Sequence, residues 1–320
     1  MFDPALNAAL QRLHSPALDL FFQIATALAY APVLIALLAM LYWGWDKSKA
    51  FGLVLVFIYG CLIENLLKET FQTPRPFQVD PAHVRLLDYF MRLEIAGSGI
   101  EWAIPARTSF SFPSGHAMMS VVFYGALALH WRRRWATIGA LAAIAMIGLS
   151  RLYLGCHFLG DVLGGYAAGG AVLVLYAAIL WLEDRRLGSP SDELLVFLLL
   201  AAPVGLFLYT PDSASAGRLA YLLGFSAGYF AERRWIGFSP AGADAPRIAR
   251  FTLGVAVMAG LYFLFGAAFD YVGSEANCIA YPVVRSAVRY GAIGLAASWA
   301  LPALFVRVGL ADRLPPARTG

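Results

Sequence analysis

The chain has 320 residues, of which 60% are apolar or aromatic and only 14% are charged, about half the charged share of a soluble globular protein. One helical crossing of a bilayer takes about 20 apolar residues, so this composition excludes a soluble two-domain enzyme, a disordered chain and a disulfide scaffold. The net charge of +4 resides mostly in short turns between apolar runs, the pattern of topology signals rather than of a phosphate-tracking groove, and no nucleic-acid partner is expected.

From the N-terminus, Leu6, Ala9, Leu10 and Leu13 share one helical face, which fits either a short interfacial helix or N-terminal packing. There is no basic region ahead of an early apolar run, so no secretory signal is read here. Apolar stretches follow at 18–43, 50–70, 114–131, 135–154, 158–182, 193–209, 216–232, 249–269 and 283–306. Transmembrane strands are shorter and alternate in polarity, so the expected fold class is all-α, a polytopic membrane helical bundle of about nine transmembrane helices. Inside the second stretch, Glu64 stands four residues before Lys68 and is expected to pair with it. In the outer loop, Val84, Leu87, Met91 and Ile95 have helical spacing, which suits an interfacial lid helix or a cover over core helices. Phe110 and Phe112 close that loop, as contacts for a lipid chain or as packing. Gly160, Gly164, Gly165, Gly169 and Gly170, and further on Gly224 and Gly228, predict close helix packing. Three cysteines, Cys61, Cys156 and Cys278, are too scattered for a zinc site or a disulfide framework; Cys156 and Cys278, both expected near the outer face, could pair, but free thiols are the expectation.

Basic residues orient the bundle. Lys47, Lys49, Arg132, Arg133, Arg134, Arg185, Arg186, Arg233, Arg234, Arg247, Arg250, Arg307, Arg313 and Arg318 fall in one set of turns and the C-terminal tail. The opposite turns at 210–215 and 270–278 carry only the acids Asp212, Asp270 and Glu275. The first set is therefore expected in the cytoplasm, with the N-terminus outside and the C-terminus inside. Basic residues on the outer side run against the insertion bias. Lys68, Arg75 and Arg151, all expected there, point to a site for an anion.

Three segments carry the chemistry: Lys68-x6-Arg75-Pro76, Pro113-Ser114-Gly115-His116, and Ser150-Arg151-x5-His157-x3-Asp161. Lys68, Arg75 and Arg151 can surround a phosphate, Arg as a planar fork and Lys as a point charge. The second segment opens a helix, whose first N–H groups are unpaired and attract anions. Gly115 permits close backbone approach there and the Ser114 hydroxyl adds a donor. His157 and Asp161 share a helical face, so the carboxylate can fix the imidazole tautomer and leave the other ring nitrogen to attack. His116 is then available as a proton donor.

These segments resemble the three signature motifs of the type 2 phosphatidic acid phosphatase (PAP2) superfamily, which includes lipid phosphate phosphatases, undecaprenyl pyrophosphate phosphatases, glucose-6-phosphatases and vanadium haloperoxidases. Every fixed position of the pattern is present. The resemblance implies that His157 is the nucleophile and forms a phosphohistidine, that Asp161 orients it, and that His116 is the general acid and then the general base. It implies that Lys68, Arg75, Ser114, Gly115 and Arg151 bind the phosphoryl oxygens, with no metal and no cofactor. It also implies a PAP2-like core over residues 1–183 followed by a C-terminal membrane extension over 184–320, which the motifs do not reach. The nine-span plan is similar to that of the glucose-6-phosphatases.

The function expected on this basis is an integral-membrane phosphatase that hydrolyses a lipid phosphate or lipid diphosphate, with membrane lipids as its surroundings. Its expected place is the cell membrane, as a multi-pass protein of the bacterial inner membrane with the active site on the extracytoplasmic side. The same residues can serve a soluble phosphomonoester such as a sugar phosphate, or phosphoryl transfer to an acceptor other than water. An anion-binding transporter needs the cations but not an oriented nucleophile, so His157 and Asp161 argue against it. Oligomeric state is not encoded in these features.

Overall fold

The computed structural model describes residues 2–88, 110–184, 192–209, 211–273 and 281–314. In chain order the helices are α1 (Ala5–Gln11), α2 (Pro16–Ala27), α3 (Ala31–Gly44), α4 (Lys47–Phe71), α5 (Pro76–Val79), α6 (Gly115–Trp131), α7 (Arg134–Tyr153), α8 (Leu159–Asp184), α9 (Asp192–Tyr209), α10 (Ser213–Trp235), α11 (Asp244–Gly273) and α12 (Tyr281–Leu295). A π-helical turn at Ala296–Ala300 leads into α13 (Leu301–Arg307). The described residues form no strand, only an isolated bridge between Phe238 and Arg313. The chain is an all-α membrane protein.

Each apolar stretch of the sequence is helical, but they are not equivalent. Among the described residues, five helical segments are long and apolar enough to cross a membrane: Lys47–Val79, Arg134–Tyr153, Leu159–Leu182, Asp244–Tyr271 and Tyr281–Arg307. A sixth is obtained if α2 and α3, bent by 47°, form one span. The count of nine also included α6, which has only 17 residues, and α10, whose apolar residues are diluted by serines, glycines and Arg218. It further included α9, of which side chains are described only from Leu200. The large apolar side chains of these helices are extensively bare, among them Ile24, Ile138, Val174, Leu175 and Leu264, as expected where lipid is the solvent.

The chain divides into two compact units, Met1–Leu34 with Tyr59–Asp192, and Ile35–Ile58 with Glu193–Gly320. Proline sets the irregularities in each. In the first, Pro32 has no N–H for the carbonyl of Leu28, and the helix breaks between α2 and α3. The Tyr124 hydroxyl donates to that freed carbonyl at 2.8 Å. In the second, Pro302 likewise leaves the carbonyl of Ser298 without its helical donor, and the backbone opens into the π turn. There the Tyr42 hydroxyl donates to Ser298 O at 3.2 Å and the Trp43 indole to Ala297 O at 2.9 Å. Both repairs meet the demand that backbone groups in an apolar medium be paired.

Lys47 and Arg250, read from sequence among the basic turn residues that orient the bundle, are buried. Lys47 binds the Glu232 carboxylate at 2.9 and 2.8 Å and the Phe238 carbonyl at 2.7 Å. Arg250 donates to the carbonyls of Ser239, Pro240 and Ala241. Both therefore close the turn after α10.

In the first unit, α6 packs on both α7 and α8. The glycines of α8 make that approach possible. A Cβ on Gly165 would lie 2.6 Å from Ser114 O, and one on Gly169 2.6 Å from Met118 O, whereas one on Gly170 would meet nothing within 4 Å. Gly165→Ala therefore requires a shift of the α6 backbone and should cost about 1–3 kcal/mol, with Gly170→Ala neutral or slightly stabilising. Thermal unfolding of the two variants in detergent checks this contrast.

Candidate active site

The site is assembled from the ends of α4, α6, α7 and α8. Pro76 occupies the first turn of α5, where a missing N–H is harmless. Arg75 before it is extended, with its N–H bonded to the Gln78 side chain at 2.8 Å. This turns the Arg75 side chain inward, where it is 1% exposed. Its Nη1 donates to Cys156 O at 3.0 Å and lies 3.3 Å from His157 Nε2, while Nη2 donates to Phe110 O at 3.3 Å.

His157 is placed by a tight turn after α7. The N–H groups of Cys156 and His157 both return to the Arg151 carbonyl, at 3.1 and 3.3 Å. The turn needs a left-handed residue, Gly155, with φ +72°, a conformation that glycine adopts without steric cost. Asn7 of α1 secures it from outside, donating to Leu152 O at 2.8 Å and His157 O at 2.9 Å. Gln11 donates to Arg85 O and Tyr153 O. So α1 packs on this turn.

A guanidinium has no acceptor, so the nitrogen facing Arg75 must be the unprotonated one. That leaves the proton on Nδ1, which lies 3.4 Å from Ser111 Oγ. Ser111 Oγ in turn donates to Asp161 Oδ2 at 2.5 Å. The direct separation of His157 Nδ1 and Asp161 Oδ2 is 3.6 Å, too long for a hydrogen bond. The carboxylate therefore reaches the imidazole through Ser111. Burial, reinforced by the positive charges of Arg75, Arg151 and Lys68, pushes the His157 imidazole well below its usual pKa. Its neutral form, the one with a lone pair to donate, thus persists at pH 7.

Asp161 joins two motifs. Its Oδ2 also accepts from Phe158 N at 2.8 Å, and its backbone carbonyl accepts from Ser114 N at 3.0 Å. Ser114 caps α6, and its hydroxyl oxygen accepts from Ala117 N. Gly115 and His116 form the first turn of that helix. The His116 ring stands edge-on to Tyr30, with centroids 5.0 Å apart. His116 Nε2 is buried with no hydrogen-bond partner among the described residues. Lys68 Nζ pairs with Glu64 Oε1 at 2.9 Å, as the spacing on α4 predicts.

Arg151 is completely buried, and its Nη1 donates to Asp88 Oδ2 at 2.8 Å and Thr26 Oγ1 at 2.6 Å. Tyr30 donates to both oxygens of Asp88, at 2.9 and 3.0 Å. Asp88 belongs to a segment tied down by Leu87, whose N–H donates to Leu154 O and whose carbonyl accepts from Gln23. Residues 84–88 form no helix, and Val84 and Leu87 are buried. In this stretch the apolar residues therefore serve the core, not an interfacial lid; Met91 and Ile95 lie outside the described residues. Cys156 is a buried thiol, pushed up to about 12 chiefly by burial; Cys278 lies outside the described residues.

The three sequence motifs thus meet at their backbones and side chains. Ser111, Asp88, Tyr30 and Asn7 were missed by sequence reasoning, and no spacing rule marks them. Asp88 lies 63 positions from Arg151 and Asn7 lies 150 from His157, so each contact exists only through the fold.

Cations and an imidazole are thus held together at the ends of apolar helices. Residues 49–185 match the PAP2 superfamily, and residues 216–313 match the transmembrane extension of PAP2 superfamily phosphatases. Together these matches cover most of the chain, which belongs to the PAP2 superfamily and is a PAP2-type phosphatase. It is 27% identical over 201 residues to phosphatidylglycerophosphatase B of Bacillus subtilis, covering 57% of this chain and 84% of that protein. It is 31% identical over 140 residues to lipid A 1-phosphatase of Rhizobium etli, covering 43% and 52%. To rat sphingosine-1-phosphate phosphatase 1 it is 25% identical over 197 residues, covering 58% and 42%. No solved structure matches the chain significantly.

The Arg151–Asp88 pair yields a stability prediction. Both side chains are fully buried, so Asp88→Ala leaves a buried guanidinium without its carboxylate and should cost about 3–5 kcal/mol. Asp244→Ala, which removes an exposed partner of Arg247, should cost less than about 1 kcal/mol. Unfolding titrations in mixed micelles measure both.

Proposed function

We propose that the protein removes a terminal phosphate, or cleaves a terminal diphosphate, from a membrane lipid by way of a phosphohistidine on His157. The observation that carries this reading is the arrangement of His157, with Nδ1 backed by Ser111 and Asp161 and with Nε2 directed at Arg75. In the first step Nε2 attacks phosphorus, the bond from phosphorus to the leaving oxygen breaks, and His116 protonates that oxygen. In the second, His116 takes a proton from water, whose oxygen attacks the phosphohistidine and releases inorganic phosphate. Lys68, Arg75, Ser114, Gly115 and Arg151 hold the phosphoryl oxygens, where fixed charges in a dry site stabilise the transition state most. Asp161 acts through Ser111 as the orienting group. His116 Nε2, without a hydrogen-bond partner among the described residues, supports its assignment as proton donor. No metal or cofactor has a role in this scheme.

A lipid substrate is supported by the site's position at the ends of apolar helices, where an amphiphile's head meets the interface, and by the printed names of the relatives. We further propose nine spans, with residues 1–183 as the catalytic core and 184–320 as a membrane extension. In this arrangement the basic turns are cytoplasmic and the site opens on the extracytoplasmic side of a bacterial inner membrane. The excess of Lys and Arg in alternate turns supports it.

Phosphate release from the purified protein in EDTA tests the substrate class. Phosphatidic acid, phosphatidylglycerophosphate, an isoprenyl diphosphate and sphingosine phosphate are compared with glucose 6-phosphate. At least one lipid should exceed glucose 6-phosphate in kcat/KM by about tenfold or more, because remote binding energy contributes to the transition state. Equal turnover of the sugar phosphate contradicts the lipid reading, and activity that vanishes in EDTA and returns with Mg2+ contradicts the metal-free scheme.

The two histidines separate by leaving group. His157→Ala should abolish activity on both a lipid phosphate and p-nitrophenyl phosphate. His116→Ala should slow the lipid reaction by about 10²–10⁴-fold but spare formation of the phosphoenzyme from p-nitrophenyl phosphate, whose leaving oxygen needs little protonation. Acid-labile phosphate should then accumulate on His157. Single-turnover kinetics and mass spectrometry of the quenched protein read both effects. Equal loss on the two substrates without a trapped species speaks against the scheme.

A further inference from the structure

The scheme above gives no task to Glu64. On α4 it stands one turn before Lys68 and binds it at 2.9 Å. Its carboxylate also reaches the first turn of α6. A Cβ built on Gly115 would lie 2.6 Å from Glu64 Cδ and 2.9 Å from Oε2. The missing side chain of Gly115 thus makes room for a carboxylate, at the end of a helix whose first N–H groups favour anions. The Lys68 and Glu64 side chains are 14% and 16% exposed, whereas His157 is 2% and Asp161 0% exposed. Their pair is therefore the more accessible edge of the site.

We propose that Glu64 is a resident anion, its carboxylate occupying the phosphate seat between Lys68 and the N-terminus of α6 and yielding that seat when a substrate phosphoryl group enters. The proposal rests on the reading of Lys68 and Ser114–Gly115 as phosphate-binding groups. A carboxylate and a phosphate compete for the same donors, and two anions a few ångströms apart repel each other. Without a phosphoryl group, the carboxylate compensates the Lys68 charge near an apolar medium. Binding then occurs only from the fraction of molecules in which Glu64 has moved aside, so wild-type affinity is reduced by that fraction.

The sign of a binding change decides the matter. If Glu64 only positioned Lys68, its loss would weaken phosphate binding. If it is a competitor, its loss strengthens binding. Calorimetric titration of wild type, Glu64→Gln and Glu64→Asp with inorganic phosphate in detergent measures this without turnover. Glu64→Gln keeps the shape and removes the charge, and its Kd for phosphate should fall about tenfold. Glu64→Asp keeps the charge but shortens the reach, and its Kd should also fall, by less; it decides the outcome if Glu64→Gln does not fold. A Kd equal to or weaker than that of wild type overturns the proposal, as does the absence of measurable binding to any of the proteins. Parallel phosphate-release assays on wild type keep the two readings apart. Turnover with no gain in affinity removes the resident anion and keeps the phosphatase. Tighter binding without turnover of any ester does the reverse.

Discussion

Burial of positive charge is the constraint on which this site depends. A guanidinium or ammonium removed from water costs several kcal/mol unless it is paired and hydrogen-bonded, yet the proposed phosphate recognition requires such groups in a dry place. The protein meets both demands by giving each cation its own compensation: Glu64 for Lys68, Asp88 with Thr26 for Arg151, and the carbonyls of Cys156 and Phe110 for Arg75. The partners differ in kind, and that difference matters. Arg151 is locked by a carboxylate that is itself fixed by Tyr30. Arg75 donates to the carbonyls of Cys156 and Phe110 and lies beside His157 Nε2.

The same physics shapes the scaffold. Where Pro32 and Pro302 interrupt a helix, a tyrosine hydroxyl takes the freed carbonyl in each case. The breaks then become usable geometry. The gap between α2 and α3 sets Tyr30 against both Asp88 and His116. On α8, Gly165 and Gly169 let α6 come within backbone contact, and this closeness allows the Asp161 carbonyl to hold Ser114. The residue proposed to orient the nucleophile therefore also anchors the turn proposed to bind phosphate.

Much was legible in the sequence. Apolar runs of bilayer length carry their helical state with them, because an unpaired backbone is untenable in lipid. The pairing of Glu64 with Lys68 follows from helical spacing alone, whereas His157, expected to share a helical face with Asp161, lies in the turn ahead of α8 and meets that carboxylate through Ser111. The motifs identified the superfamily because their chemistry demands fixed residue types at fixed separations. Span counting was less secure, since α6 and α10 owe their place to packing as much as to apolarity.

Contacts between distant segments were not legible, and for one reason. Spacing rules describe neighbours within an element, whereas a carboxylate that neutralises a buried arginine can come from any part of the chain that the fold brings near. Asp88 reaches Arg151 from 63 positions away, Asn7 reaches His157 from α1, and Ser111 comes between His157 and Asp161. Sequence determined the composition of the site, the helical state of the segments and the family. Only the tertiary structure decided how each buried charge is balanced, because that balance depends on distances of about 3 Å between groups tens of residues apart in the chain.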